Sequence, residues 1–216
     1  MAGIRKIIVA VAVAGALALA LPAGAAGSVA GPRLDVAGVS RWAASVEVVG
    51  LEGDNAAAVQ RLWGEFVAGL PAQESCLLAH PPTIQAKSDM RPRAAYAPSI
   101  STLYVKPGDL DRLVVFHELA HHLDFTCGAA EAIGEDFRAA QGLAASKPWW
   151  QHGNPVTWPA EYFANAVAIS LGEHSRHGVS AAAVDVVSVW TGRSPAPEQI
   201  APLAVAPPSP LVARLI

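Results

Sequence analysis

The chain has 216 residues, of which 52% are hydrophobic and 15% are charged, and its formal net charge is −3. This length fits one domain of ordinary size with extensions at its ends, and six Trp and five Phe residues can fill a core, so disorder over the whole chain is excluded. Lys and Arg number 15 against 18 acidic residues without a basic cluster, which argues against a nucleic-acid partner, and two cysteines are too few for a disulfide-rich scaffold.

Residues 1–25 are typical of an export signal. Arg5 and Lys6 precede an unbroken apolar run, Ile7–Leu21, and small residues that a signal peptidase accepts follow up to Ala25. The run is short for a membrane-spanning helix, which needs about 20 residues, although an uncleaved anchor is the alternative. We therefore expect a secreted or extracytoplasmic protein that has no membrane contact after signal cleavage.

The two cysteines have a clear interpretation in an exported protein. In an oxidising compartment Cys76 and Cys127 are expected to form a disulfide bond, which would close a loop of 51 residues (127 − 76). Loop-closure entropy assigns such a bond about 4 kcal/mol of stabilisation. The alternative is a nucleophilic Cys127 beside His121 or His122, but no thiol-protease signature surrounds it.

The body of the chain has the pattern of helices around a small sheet. Strands are predicted at Ser45–Val49, near Thr83–Ala86 and, most clearly, at Ile100–Lys106. Apolar spacing and capping residues predict five helices, in chain order 54–70, from Asp109 or Asp111 to 125, 129–143, 157–171 and 180–190. We expect an α+β fold, mainly helical with a short mixed sheet, in a monomeric domain over residues 26–193. Six prolines between 194 and 210 predict an extended Pro-rich tail over residues 194–216.

The second predicted long helix carries a metal-binding pattern, HELAH, at residues 117–121. Residues four apart lie about 40° apart around a helix, so His117 and His121 can offer ring nitrogens to one metal ion. Glu118 lies about 100° further round, where a general base for metal-bound water belongs. His122 points away from His121 and is expected to lie behind the ligands or at the surface.

A catalytic zinc site needs a third protein ligand. The metzincin pattern is excluded, because Asp124 and Cys127 occupy the positions of its Gly and third His. Asp124 is better placed to orient a ligand or to anchor a neighbouring segment. Asp136 follows the histidine pair at a sequence separation that a third ligand could have, but it lies in an ordinary amphipathic helix. Glu161, near the start of a helix with small residues one and two turns on, is the better candidate, although it could simply complement the helix dipole.

The sequences HELAHHLD at 117–124 and PAEYFANA at 159–166 resemble the anthrax lethal factor-like metallopeptidases. These are gluzincins with HExxHxxD followed by a downstream E-[YF]-F-A-x-A helix. The resemblance covers roughly residues 95–175 and is specific only in its two motifs. It implies a small zincin-like catalytic domain, one Zn²⁺ ion bound by His117, His121 and Glu161, and Glu118 as the residue that activates water. It also implies that Ile100–Val105 is an edge strand along which a peptide or protein substrate could lie.

Two departures from this family concern its supporting residues. The family has a tyrosine shortly before the ligand glutamate, thought to assist the oxyanion, whereas this chain has none between Tyr104 and Tyr162. His152 or Tyr162 would have to replace it as a catalytic group. The family's second acid in the ligand helix is Asn165 here. Neither departure removes a ligand or the base.

We therefore expect a secreted zinc metalloendopeptidase that hydrolyses peptide bonds with zinc-activated water. A non-catalytic exported protein that binds zinc or a partner on the same scaffold is the first alternative. A membrane-anchored protein whose Pro-rich tail is the interaction element is the second.

Overall fold

The computed structural model describes residues 42–43, 45–150, 158–175 and 178–193. The predicted export signal, the predicted Pro-rich tail and His152 lie outside these residues. Within them the chain forms six α-helices and a four-stranded mixed sheet, which confirms the expected α+β class. The strands are β1 (Glu47–Val49), β2 (Thr83–Ala86), β3 (Ala94–Ala97) and β4 (Thr102–Val105). The helices are α1 (Gly53–Ala68), α2 (Glu74–Ala79), α3 (Arg112–Cys127), α4 (Ala129–Ala140), α5 (Pro159–Ser170) and α6 (Ala181–Trp190).

The order of the sheet is β1-β2-β4-β3. β1, β2 and β4 are parallel, and β3 runs antiparallel to β4 with Tyr96 opposite Leu103. The expectation that Ile100–Val105 is an edge strand is therefore wrong, because β4 is paired on both sides and offers no free backbone edge to a peptide. Its burial fits this internal position, since three of its four residues are buried. The edge on that side is β3.

Strand β3 and the short helix α2 were not predicted. Both lie between residues 71 and 99, where five prolines indicate loop structure. The four residues of β3 form a strand because they pair with β4 and because Ala94 and Tyr96 point into the core. Pairing with a distant partner outweighs the weak strand propensity of alanine here.

Helix α3 occupies the centre of the fold. It packs against β3 and β4 of the sheet and against four helices, α1, α2, α4 and α5. Consequently almost every residue from Val115 to Asp124 is buried, polar ones included. Phe116, on the side of α3 towards α1, meets Phe66 with ring centroids 5.6 Å apart. A polar side chain on this helix must therefore find its partners inside the protein.

Local sequence determines where α3 begins and ends. The side chain of Asp111 accepts a hydrogen bond from the Val114 amide, as an N-cap residue does. Gly128 ends the helix with φ at +70°, in the left-handed region that a residue without Cβ adopts at little cost. The chain then turns directly into α4, which brings α4 and the following loop back over α3.

The predicted cysteine pair lies at the end of α3. The Sγ atoms of Cys76 and Cys127 are 2.07 Å apart, at the bonding distance of the expected disulfide, and they connect α2 to the last residue of α3. Over the described ranges, every helix is too short or too polar to cross a bilayer.

Candidate metal centre

Three predicted ligand side chains meet between α3 and α5. Nε2 of His117 lies 3.1 Å from Oε2 of Glu161, and Nε2 of His121 lies 3.5 Å from Oε1 of the same carboxylate. The two imidazole rings are perpendicular, with centroids 4.8 Å apart. The three side chains offer one ligand atom each, all within 4.8 Å of one another, so this largely buried group could hold a metal ion.

The helix geometry explains why these side chains meet. His117 and His121 are one turn apart on α3, and Glu161 lies in the first turn of α5, which packs along α3. Ala164 and Ala168, one and two turns after Glu161, are fully buried, as expected where two helices approach closely. The spacing of the two histidines therefore predicted the face of α3, whereas Glu161 was predicted from its position near the start of a helix and from the family resemblance.

This group contains buried polar atoms that have no hydrogen-bond partner, as expected of a group that could hold a cation. Both ring nitrogens of His121 and Oε1 of Glu161 are buried without a hydrogen-bond partner, which is costly unless another group binds them. Burial raises the pKa of Glu161, but its contacts with His117 and His121 outweigh burial and hold that pKa well below its usual range. An ionised carboxylate and two imidazoles form the donor set of a zinc site with an open position, so the residues fit the implied metal.

The predicted general base, Glu118, is fully buried beside this group. Its Oε2 accepts a hydrogen bond of 2.8 Å from the backbone amide of Tyr96 on the edge strand β3, and its Oε1 has no partner. The strand thus binds one oxygen of the carboxylate, whereas the other oxygen is buried without a partner. Sequence reasoning did not find this role of Tyr96, because β3 itself was not predicted.

Asp124 anchors the loop that follows α4. Its Oδ2 accepts hydrogen bonds from the indole nitrogens of Trp149 and Trp150, at 2.6 and 3.1 Å. Its Oδ1 accepts one from the Ala130 amide in the first turn of α4. Burial raises the pKa of this carboxyl group, whereas the bond from Trp149 acts in the opposite direction. Of the two roles considered for Asp124, the hydrogen bonds support the anchoring of a neighbouring segment.

His122 is fully buried and lies behind the ligands, not at the surface. Its Nε2 bonds to the backbone carbonyl of His80 at 2.9 Å, and its Nδ1 lies 3.0 Å from the hydroxyl of Tyr96. Burial lowers the pKa of His122 to about 4, so the ring is neutral at pH 7. His122 thereby connects α3 to β3 and to the segment that follows α2.

The remaining candidates take other positions. Tyr162 is half-buried against the core, and His152 lies outside the described residues, so the oxyanion role of each stays a prediction. Asp136 is exposed on α4 and does not belong to the ligand group. Asn165 donates a hydrogen bond to the Glu161 carbonyl and accepts one from Ser175, so it secures the start of α5.

Comparisons of the chain with protein-family models, with curated proteins and with solved structures gave no match. The resemblance to lethal factor-like metallopeptidases therefore rests on the two motifs alone.

Proposed function

We propose that the protein is a zinc-dependent peptidase in which His117, His121 and Glu161 bind the metal and Glu118 is the general base. The observation that carries this proposal is the buried group of two imidazoles and one carboxylate with a second, partly unpaired carboxylate beside it. When bound, zinc supplies the Lewis acidity that polarises a carbonyl and makes water acidic.

We assign proton transfer and substrate binding to residues of the chain. Oε1 of Glu118 accepts a proton from the attacking water and returns it to the leaving amine, while the Tyr96 amide keeps the carboxylate in place. Strand β3 is the sheet edge beside the site, so an extended peptide could pair along it. This edge replaces Ile100–Val105 as the proposed path of the substrate.

An exported location is part of the same proposal. The Cys76–Cys127 pair at bonding distance is compatible with an oxidising compartment, and the N-terminal sequence supplies the export pattern. We expect N-terminal sequencing of secreted material to begin at Ala26. A mature chain that still begins at Met1 would favour the anchored alternative.

The test of the chemistry is Glu118→Gln, which keeps the shape of the side chain and removes the base. We expect the purified variant to bind one equivalent of zinc, as the unchanged protein does, and to lose hydrolysis of unstructured peptides by about a thousandfold. Metal content by mass spectrometry and peptide cleavage with and without chelator provide the measurement. Full activity in this variant would refute the role of Glu118.

A second candidate is a non-catalytic protein that binds zinc or a partner on the same scaffold. The complete burial of Glu118 favours this candidate, because a base must reach water. The non-catalytic candidate predicts that the unchanged protein binds one equivalent of zinc but shows no peptide cleavage that a chelator inhibits.

A further inference from the structure

Two aromatic side chains, Phe125 and Trp150, form an aromatic shelf beside the metal group. Their ring centroids are 4.8 Å apart at an interplanar angle of 30°, so the two rings are in tilted contact. The Trp150 ring also contacts the ligand His121, with centroids 5.1 Å apart. The shelf is therefore continuous with the proposed zinc site.

The helix places the shelf on the ligand face. Phe125 follows His121 by one turn and His117 by two turns, so all three side chains project from the same side of α3. Phe125 is nevertheless 46% exposed. A single exposed aromatic residue is ordinary. Phe125 differs because it is in line with two proposed metal ligands and contacts a ring that touches one of them.

The shelf is held in place from behind. The indole nitrogen of Trp150 donates to Oδ2 of Asp124 at 3.1 Å, and Tyr96 lies next to Phe125 with centroids 6.1 Å apart. Since the only polar atom of the shelf is already bonded, a polar substrate side chain would find no partner there. A flat apolar ring can stack on the open part of Phe125 without displacing any hydrogen bond.

We propose that the aromatic shelf binds an aromatic side chain of the peptide substrate close to the bond that is cut, and so determines specificity. This inference rests on the proposed peptidase function. It specifies a substrate class, namely peptides with Phe, Tyr or Trp near the scissile bond, which the metal-binding motif does not indicate. Phe125 and Trp150 are specificity residues in this scheme, and Asp124 is a positioning residue that acts through Trp150.

The experiment compares peptides that differ only in Phe or Ala at each position around the cleaved bond. At one position we expect the zinc-loaded protein to prefer Phe by about tenfold in kcat/KM, mainly through KM, because ring stacking binds substrate and transition state alike. Phe125→Ala should reduce that preference to below about twofold, and Phe125→Tyr, which keeps the ring, should retain it. Val189→Ala is the matched control, since Val189 is 68% exposed on α6.

A binding measurement separates this inference from the proposed function. In the Glu118→Gln protein, titration calorimetry should show the same Phe preference in Kd, lost again when Phe125→Ala is added. Zinc content and the thermal unfolding midpoint of each variant report whether it has folded. Cleavage with no preference for an aromatic residue at any position, or a preference that survives Phe125→Ala, overturns the aromatic shelf alone. A zinc-loaded protein that cleaves no peptide overturns the proposed function and this inference with it.

Discussion

His121 and His122 are adjacent and both buried, but they lie on two sides of α3 and differ in the hydrogen bonding of their ring nitrogens. On the side that faces α5, both ring nitrogens of His121 lack a hydrogen-bond partner, and Nε2 lies 3.5 Å from Oε1 of Glu161. On the other side, both nitrogens of His122 have partners, the His80 carbonyl and the Tyr96 hydroxyl. Burial alone therefore does not distinguish a ligand from a structural histidine. The pairing of the ring nitrogens differs between the two histidines, and a buried unpaired donor or acceptor is costly until something binds it. We call the side of α3 that carries His121 the ligand side, after its proposed role, and the side that carries His122 the structural side.

The largest expected effect tests the ligand side. His121→Leu removes one of three proposed ligands, and we expect it to weaken zinc binding by on the order of a thousandfold or more. Competition against a chromogenic chelator at fixed pH measures the dissociation constant. His122→Leu is the matched control, with an expected change below about tenfold because it removes no ligand. Equal losses of affinity in the two variants would contradict the division of α3 into two sides.

The next effect concerns the disulfide, which connects α3 to α2. Changing Cys76 and Cys127 to Ala should lower the free energy of unfolding by about 4 kcal/mol, because the unfolded chain loses the closure of a 51-residue loop. Urea unfolding followed by tryptophan fluorescence gives the value. Zinc affinity measured at low temperature, where the variant remains folded, should stay within a few-fold. A parallel collapse of zinc affinity would show that the disulfide also holds the ligands.

A smaller effect tests the structural side in the metal-free protein. His122→Leu leaves the buried Tyr96 hydroxyl without its ring partner and should cost about 2 kcal/mol in the free energy of unfolding. His121→Leu removes two nitrogens without hydrogen-bond partners but also a contact that keeps Glu161 ionised, so it should cost less than His122→Leu at pH 7. Urea unfolding in excess chelator measures both variants.

A double-mutant cycle refines this result. Tyr96→Phe removes the hydroxyl that faces His122 and retains the ring, so a coupling of about 1 kcal/mol with His122→Leu is expected. Additive losses would mean that the 3.0 Å contact contributes nothing to stability.

The ligand side was accessible from sequence because its information is local. The spacing of His117 and His121 places two side chains on one helix face whatever surrounds the helix. Glu161 required the second motif, and the packing of α5 along α3 then brings it to the same place. Residue types and periodicity therefore predicted the histidine pair, and the second motif added Glu161 to the group that could hold a metal ion.

The contacts of the structural side could not be predicted from the sequence. Helix periodicity gives the direction of each side chain relative to its neighbours, but it does not show which element packs over each face of the helix. His122 was expected behind the ligands or at the surface, and only the pairing of β3 with β4 places Tyr96 over it. The same pairing brings the Tyr96 amide to Glu118. A four-residue strand rich in alanine between prolines carries little local signal, so contacts that depend on it follow from tertiary structure alone.

The smallest expected effect is a pH dependence whose sign differs between the two histidines. The pKa of His122 is about 4 in the folded protein and about 6.5 in an unfolded chain, so the unfolded state binds more protons between these values. Its contribution to stability is complete above about pH 6.5 and is lost as the pH falls towards 4. Between pH 7 and pH 5.5 the metal-free protein should lose about 1 kcal/mol more stability than His122→Leu does.

His121 should behave in the opposite way. Burial lowers its pKa, but the facing carboxylate of Glu161 outweighs burial and the net pKa is raised. Its proton therefore stabilises the metal-free fold below the pKa of the unfolded chain, and that contribution is lost as the pH rises through the folded value. On acidification from pH 7 to pH 5.5, His121→Leu should accordingly lose more stability than the unchanged protein, whereas His122→Leu loses less. Urea unfolding of all three proteins in chelator at both pH values measures the two differences, and differences of the same sign would refute the contrast between the sides of α3.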